Sequence, residues 1–315
     1  MDTSIEANDT VFIDKSMTLD FAGNTYSTTA SYAFVADAAT LTLTDSTATA
    51  EVTEDKIVET SGNSVQARRI GQAVNNGTIV IESGNYQSTD TAFWAGGKTE
   101  AGHVVMNGGY INAQEFGLAI GGEGSTLEVN DGIIYTNDNA IMGGNGSAGY
   151  GGTTMTINGG TFIGNIQSSG YIACGIYHPQ AGTLTVNGGD FYINNGIGIL
   201  MRGGEGTITG GTITTTGNAS GKVGDSKVLP SCYGAAIDLQ AKYPAVDSCR
   251  MDITGGTISV EEGVEVVTVM AEEGQNTENR LNVSGGIYSA EVDSEYIQEG
   301  YACIAAEDKY KVIAA

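Results

Sequence analysis

The sequence is poor in proline, in basic residues and in long apolar runs. It contains three prolines, one tryptophan, and 13 lysines and arginines against 37 aspartates and glutamates. Few prolines suit central β-strands, where proline removes a ladder hydrogen bond. The formal charge of −24 repels nucleic-acid phosphate, and only the adjacent Arg68 and Arg69 offset it locally. We therefore expect no nucleic-acid partner.

Several other signals are missing. No run of about 18 apolar residues occurs, and the first residues have neither a basic start nor an apolar core. The sequence thus predicts no membrane insertion and no secretion signal. No P-loop, EF-hand loop or HExxH occurs, and the four cysteines lack CxxC spacing, so we expect no cofactor and no metal site.

The cysteines fall into two kinds. Cys174 and Cys303 lie in apolar, strand-like runs, which predicts small buried side chains. Cys232 and Cys249 flank one insertion, so they could pair under oxidising conditions or remain free thiols.

A five-residue phrase built around two glycines recurs along most of the chain, as in Asn158-Gly159-Gly160-Thr161-Phe162. The spacing of its copies is 25, 23, 28, 29, 22, 45 and 30 residues. The copies begin at Glu82, Asn107, Asn130, Asn158, Asn187, Thr209, Thr254 and Ser284. Self-similarity at this period indicates a solenoid, in which each repeat buries its apolar face against its neighbours.

Each repeat resolves into three short strands with no amphipathic helix between them. The strand before the glycines alternates apolar and polar residues, as in Leu184-Thr185-Val186. The strand after them places one apolar residue at an equivalent position in every repeat, and the third strand is an apolar run such as Ile197-Gly198-Ile199-Leu200. The sequence therefore predicts an all-β, single-stranded parallel β-helix of about ten or eleven three-strand coils. Parallel crossovers make it right-handed.

The prediction includes boundaries. Residues 1–75 carry the pattern loosely and are expected to form amino-terminal capping coils, while 76–315 form the regular coils and a carboxy-terminal closing segment. Ala302-Cys303-Ile304 is assigned as a last third strand. Uneven spacing predicts insertions, with residues 164–171 and 218–231 at one shared corner, and 145–152, 241–248 and 272–279 at another.

The asparagine of the phrase has a predicted role of its own. Amides at the same turn of successive coils can hydrogen-bond up the stack, as in cross-β ladders, while glycine permits positive φ at the corner. Because Thr209 replaces the amide, the ladder is expected to end after Asn187.

In architecture the chain resembles the pectate-lyase-like superfamily. That resemblance implies polysaccharide cleavage by an arginine or lysine base beside calcium-binding aspartates, or by aspartates in Asn-Thr-Asp, Asp-Asp and Gly-His-Gly contexts, and those three signatures are missing. Arg202, Arg250 and Arg280 are candidate lyase bases, although each is equally explained as a solvated outer residue paired with carboxylates. We assign no catalytic residue.

Tyrosine, with 15 residues, is the abundant aromatic, and several copies fall in or beside the insertions. Exposed aromatic rings can stack on sugars or anchor a protein partner, or they can simply pack the loops onto the coil. The candidate binding residues are Tyr150, Tyr171, Tyr177, His178, Tyr233 and Tyr243.

The segment from Gly285 to Val312 is similar to a closing segment of β-helical repeat proteins from gut bacteria and their phages. The resemblance implies a surface or virion context. We expect a non-enzymatic virion protein, such as a head decoration or a fibre, that is assembled in the host cytoplasm. Its expected partners are other virion proteins or host-surface glycan. The oligomeric state is left open, with a homotrimer as one possibility. The alternatives are a glycan-binding or adhesive module of a bacterial surface protein, and a polysaccharide lyase or hydrolase.

Overall fold

The chain folds as a parallel β-helix. The computed structural model describes residues 1–136, 140–165, 173–217, 222–223, 226–227, 234–241, 248–271 and 278–315. These residues form three long sheets of 13, 10 and 10 strands, named A, B and C, with two short antiparallel hairpins and a 3-10 turn at Ser294–Tyr296.

Successive coils contribute neighbouring strands to each sheet. Sheet A contains β1 (Ile5–Ala7), β4 (Tyr26–Thr28), β9 (Val65–Ala67), β12 (Asn85–Ser88), β15 (Tyr110–Ala113), β18 (Ile133–Thr136), β21 (Thr161–Asn165), β24 (Asp190–Asn194), β27 (Thr212–Thr216), β32 (Thr257–Ser259), β35 (Ile287–Tyr288), β37 (Lys309–Ala314) and β36 (Tyr301–Ala306). Sheet B contains β2 (Val11–Ile13), β5 (Phe34–Asp37), β10 (Gly71–Val74), β13 (Phe93–Gly96), β16 (Leu118–Gly121), β19 (Ala140–Gly144), β22 (Ala173–His178), β25 (Gly196–Met201), β30 (Ile237–Ala241) and β33 (Val267–Ala271). Sheet C contains β3 (Met17–Asp20), β6 (Thr40–Thr44), β11 (Gly77–Ile81), β14 (Gly102–Met106), β17 (Thr126–Val129), β20 (Thr153–Ile157), β23 (Gly182–Val186), β26 (Gly204–Ile208), β31 (Ser248–Ile253) and β34 (Glu278–Val283). The hairpins are β7 (Thr49–Val52) with β8 (Val58–Ser61), and β28 (Lys222–Val223) with β29 (Ser226–Lys227).

The chain visits sheets A, B and C in turn, and each turn is one coil. From β1 to β35, neighbouring strands within each of the three sheets pair in parallel, which confirms the three-strand coil and the predicted number of coils. The first coils, from Ile5 onward, share the register of the later ones.

The apolar residue after each glycine pair forms a continuous stack inside the coil. Phe162 pairs in register with Phe191, both are wholly buried, and their rings stack with centroids 4.3 Å apart. The strand before the glycines adds Ile157 and Val186, which are also wholly buried. The predicted inward register is therefore confirmed, and the core is one column running through the coils.

The two glycines of the phrase serve different needs, as the copy at Gly188 and Gly189 shows. A Cβ on Gly188 would come within 2.4 Å of the Asn158 carbonyl oxygen in the preceding coil, so only glycine permits the close approach. Gly189 has φ of +93°, in the region that side chains avoid. In this copy both positions therefore require glycine, whereas Ser83 and Asp131 stand at the first position in two other copies.

The asparagine ladder forms as predicted. The Nδ2 of Asn130 donates to Oδ1 of Asn107 at 2.9 Å, Asn158 donates to Asn130 at 2.8 Å, and Asn187 donates to Asn158 at 2.9 Å. Thr209 Oγ1 then donates to Asn187 Oδ1 at 2.9 Å. The amide ladder ends after Asn187 because a hydroxyl takes the next position.

The assignment of Ala302-Cys303-Ile304 as a third strand is wrong. These residues belong to β36, which pairs antiparallel with β37, and β37 pairs antiparallel with β35 at the end of sheet A. The alternating pattern is the same for a closing hairpin and for a parallel coil, so it does not fix the pairing. Cys303 is consequently half-buried and not a core residue, whereas Cys174 is wholly buried as predicted.

The insertions are only partly described. Residues 145–152 form a turn beside sheet B, whereas most of 164–171, 218–231, 241–248 and 272–279 lies outside the described residues. The shared-corner prediction for 164–171 and 218–231 therefore stays a prediction. Cys232 also lies outside the described residues, and Cys249 is a buried free thiol.

Candidate functional site: the outward face of sheet A

A β-hairpin lies against the outward face of sheet A. It joins sheet C of one coil to sheet A of the next, and we name residues 49–61 the strap. At its root, the buried Nδ2 of Asn85 faces three main-chain carbonyl oxygens, of Thr49 at 3.0 Å, Ser61 at 3.0 Å and Gly62 at 2.7 Å. A single side-chain amide of sheet A thus anchors both ends of the strap.

The tip of the strap reaches a distant coil. Lys56 places its Nζ 4.0 Å from the centre of the Tyr192 ring, a cation–π contact. Asn85 lies on β12 and Tyr192 on β24, and since β15, β18 and β21 stand between them, the strap runs along the helix axis over four coil steps. Lys56 itself has φ of +61°, an uncommon conformation for a residue with a side chain.

In the sheet A strands from β9 to β27, one residue per strand points away from the core, and these residues form one outward row. Register pairing aligns its members directly, one per coil. They are Gln66, Gln87, Asn112, Tyr135, Ile163, Tyr192 and Thr214. The row is rich in amides at the amino-terminal end and has two tyrosines farther along.

The tip of the strap and the outward row enclose a groove of about 330 Å³. We name it the strap groove; its polar lining is Asp55, Lys56, Asn165, Tyr192, Asn194, Thr214 and Thr216. The groove crosses three successive strands, β21, β24 and β27, and the Tyr192 side chain is half-buried in its floor.

A second side-chain ladder forms one wall of the strap groove. Asn194 Nδ2 donates to Asn165 Oδ1 at 3.0 Å, and Thr216 Oγ1 donates to Asn194 Oδ1 at 3.0 Å. These three residues occupy equivalent positions at the ends of their strands. Because each bond holds the next side chain, the wall is fixed before any ligand arrives.

The same face carries a wider polar groove of about 530 Å³ over earlier coils, lined by Gln66, Gln87, Asn112, Gln114 and Arg68. No aromatic ring lines it among the described residues. The strap groove is the more distinctive of the two because it combines a ring, a cation and a hydrogen-bonding wall.

An ionic cluster sits at the corner beside the wider groove. Asp90 Oδ2 accepts from Arg68 at 3.0 Å and from Arg69 at 2.9 Å, and its Oδ1 accepts from the Thr91 backbone N–H at 2.7 Å. Burial alone would raise the pKa of Asp90, but the hydrogen bonds from Arg69 and Thr91 and the positive charge of Arg69 hold it below its usual value. Beside Asp90, burial and then the neighbouring carboxylate raise the pKa of Glu115.

Of the six candidate residues from the sequence, three are described. Tyr150 is half-buried in the 145–152 turn, and its ring lies against the backbone of Gly121, where an added Cβ would come within 2.6 Å of the ring. Tyr177 and His178 are buried in β22, so they present no ring to solvent. Tyr171, Tyr233 and Tyr243 lie outside the described residues.

The outward row of sheet B is buried at the carboxy-terminal coils. Tyr177, Leu200, Asp238 and Thr268 align in register, and all four side chains are enclosed although they lie outside the main core cluster. Thr268 Oγ1 donates to Asp238 Oδ1 at 2.9 Å. This face is therefore a second packed layer.

His178 is held neutral in that layer. Its Nδ1 donates to the Gly203 carbonyl oxygen at 3.0 Å, and burial lowers the pKa of the imidazole to about 4. A neutral, wholly buried ring neither stacks on a sugar nor carries charge to a partner.

The sequence suggested that Arg202 could be a solvated residue on the outer face, but the structure places it in the interior. It is wholly buried, its Nη2 donates to Gln240 Oε1 at 2.7 Å, and its guanidinium lies 5.6 Å from the centre of the Tyr177 ring. The prediction failed because sequence spacing does not reveal that this outward face is covered. A base enclosed in this way has no contact with a substrate.

Arg250 and Arg280 match the outer-face interpretation. They are neighbours in register on sheet C; Arg250 lies 3.9 Å from Glu205, and Arg280 Nε donates to Asn282 Oδ1 at 3.3 Å. Within the described ranges, no three His, Cys, Asp or Glu side chains converge as metal ligands.

Sequence reasoning missed Tyr135, Tyr192 and Lys56. The signal for the tyrosines was present, since each lies next to a core position in an alternating strand and must point outward. For Lys56, short alternating runs on both sides of Thr53-Glu54-Asp55-Lys56 indicated a hairpin, but its contact with Tyr192 depends on the fold.

No protein-family model, curated protein or solved structure matches the chain. Among the described residues, no helix is long and apolar enough to cross a membrane.

Proposed function

We propose that the protein is a non-enzymatic display element of a bacteriophage particle, in which a rigid β-helix holds the outward face of sheet A toward other virion proteins or host-surface glycan. The observation that carries the proposal is the continuous register of the coils, reinforced by the ladders from Asn107 to Thr209 and from Asn165 to Thr216. Each outward side chain is thereby fixed relative to its neighbours, which suits presentation of a surface.

Two further features support a virion context. The segment after Ile287 folds back and closes sheet A with an antiparallel hairpin, in keeping with its resemblance to closing segments of β-helical phage and gut bacterial proteins. Cys174 and Cys249 are buried free thiols, which agrees with assembly in a reducing cytoplasm.

The location of the protein tests this proposal. Particles purified from a lysate and the envelope of the same host are compared by quantitative mass spectrometry. We expect the protein to co-purify with the particles in a fixed ratio to the major capsid protein. Recovery in the envelope fraction alone would contradict the virion role and favour an adhesive module of a bacterial surface protein.

That second candidate is favoured by the strap groove, because an aromatic floor and a fixed polar wall are features of a binding site and are not needed by a scaffold. The enzymatic alternative has its own test. The protein is incubated with a panel of acidic glycans and calcium, and unsaturated or reducing ends are measured. New ends that disappear in Arg250→Ala or Arg280→Ala would show a lyase, and we expect none.

A further inference from the structure

The strap groove presents hydrogen-bonding groups of both kinds at regular intervals. An asparagine amide has two N–H donors and an oxygen that can accept two hydrogen bonds. The ladder uses one N–H donor of Asn194 and one acceptor position on the oxygen of each of Asn165 and Asn194. The remaining amide and hydroxyl groups face the groove from strands about 4.8 Å apart. Such a wall fits a ligand whose hydroxyl groups also recur at short, regular intervals.

The charges of the groove select against ions of either sign. Asp55 and Lys56 stand side by side at the tip of the strap and cancel, and the other polar lining groups are amides, hydroxyls and a phenol. The protein as a whole carries −24, which repels a polyanion before it reaches the groove. The chemistry of the lining therefore suits an uncharged, polyhydroxylated ligand.

The floor supplies an apolar contact of the right kind. Tyr192 is half-buried and points outward between Ile163 and Thr214 in its row, so its ring is supported by neighbours and lines the groove. An aromatic ring packs against the C–H face of a sugar while its hydroxyl remains in water. Lys56 Nζ lies 4.0 Å from the centre of that ring, so a sugar that stacks on Tyr192 displaces this ammonium, which can then donate to a ligand hydroxyl beside the ring.

From these contacts we propose that the strap groove binds a neutral oligosaccharide that lies along the helix axis across β21, β24 and β27, with Tyr192 as the stacking platform and Lys56 as a hydrogen-bond donor beside it. This inference rests on the proposed function, because it names the class of glycan that the outward face of sheet A binds. Its failure leaves the location of the protein in particles unaffected, and the two proposals are therefore separable.

The test measures the binding of short neutral glucans, galactans and mannans by isothermal titration, with an oligogalacturonate as the acidic comparator. We expect saturable binding of at least one neutral oligosaccharide and none of the acidic one. Tyr192→Ala should weaken the affinity at least about tenfold, whereas Tyr192→Phe, which keeps the ring, should change it less than about threefold.

Tyr135→Ala is the matched control, because Tyr135 occupies the same outward row two coils earlier and does not line the groove. It should bind as the wild type does. Lys56→Ala gives a second variant on the strap, outside the coils, and should also weaken binding. The proposal is overturned if no neutral oligosaccharide binds, if the acidic one binds better, or if Tyr135→Ala weakens binding as much as Tyr192→Ala.

Discussion

On both sheet A and sheet B, side chains alternate between the core and the outward face. The outward side chains of sheet A are partly exposed to solvent, whereas those of sheet B in the carboxy-terminal coils are buried. On sheet A, Tyr135 and Tyr192 are half-exposed, and the strap covers only part of the face. On sheet B, Tyr177 and Leu200 occupy equivalent outward positions and are buried. Alternation thus determines which side chains leave the core column, but long-range packing determines whether water reaches them.

This difference separates residues that hold the fold from residues free to bind. Inward residues and the outward row of sheet B at β22, β25 and β30 are packed on all sides, so substitutions there should cost stability. The half-exposed outward residues of sheet A, such as Tyr135 and Tyr192, should tolerate change with little loss, unlike the buried Ile163 of the same row.

The largest effect is expected from Phe191→Ala. The ring is wholly buried and stacks on Phe162, so its loss should lower the free energy of unfolding by about 3–5 kcal/mol. Its neighbour Tyr192 points outward, and Tyr192→Ala should cost less than about 1 kcal/mol. Urea denaturation of both variants measures the contrast, and equal losses would show that the register of β24 is wrong.

Next in size is Arg202→Ala. Removing a buried, hydrogen-bonded guanidinium leaves Gln240 without its 2.7 Å donor and should cost about 2–3 kcal/mol. Arg250→Ala, which removes the exposed pair with Glu205, should stay within about 0.5 kcal/mol. The same denaturation experiment applies, and an Arg202 variant as stable as the Arg250 variant would argue against a closed face on sheet B.

A smaller loss is expected in the ladder of exposed amides. Asn158 donates to Asn130 and accepts from Asn187, so Asn158→Ala breaks two bonds and should cost about 1 kcal/mol. Thr209→Val, at the end of the ladder, loses one ladder bond, the 2.9 Å bond to Asn187, together with a long 3.5 Å contact to the Val186 carbonyl oxygen, and should cost about half as much. Thermal unfolding monitored by circular dichroism ranks the two, and the reverse order would count against a cooperative ladder.

The smallest expected effect is the pH dependence of stability that Asp90 causes at the corner between sheets A and B. The folded-state pKa of Asp90 lies below the ordinary value of 3.8, so the carboxylate stabilises the fold above that value, and this stabilisation is lost as the pH falls through the lowered pKa. Because Arg68 and Arg69 are partly exposed, we expect about 0.2–1 kcal/mol. Stability measured from pH 7 downward should show the gap between wild type and Asp90→Asn closing at low pH. A gap that does not depend on pH would contradict the ionic explanation.

Much of the fold could be predicted because its signals are local. The spacing of the Asn-Gly-Gly phrase identified the coil, and alternation placed Ile157, Phe162, Val186 and Phe191 inside it. The ladder and its end at Thr209 followed from residue chemistry at a repeated turn. These features need only short-range sequence and stacking of equivalent positions.

The long-range contact of the strap, the closing hairpin and the covered face could not be predicted in the same way. A strand in an antiparallel hairpin alternates as a strand in a parallel coil does, so β36 was assigned to the wrong pairing. The burial of Arg202, Tyr177 and His178 and the contact of Lys56 with Tyr192 join residues far apart in the chain. Local pattern carries no information on such contacts.

Hydroxyl-radical footprinting read by mass spectrometry tests the contrast between the two faces most directly. Under native conditions, we expect oxidation of Tyr135 on sheet A to proceed readily and that of Tyr177 on sheet B to be strongly suppressed, with the two rates converging after unfolding in denaturant. Equal oxidation of Tyr135 and Tyr177 in the folded protein would contradict an open sheet A and a closed sheet B.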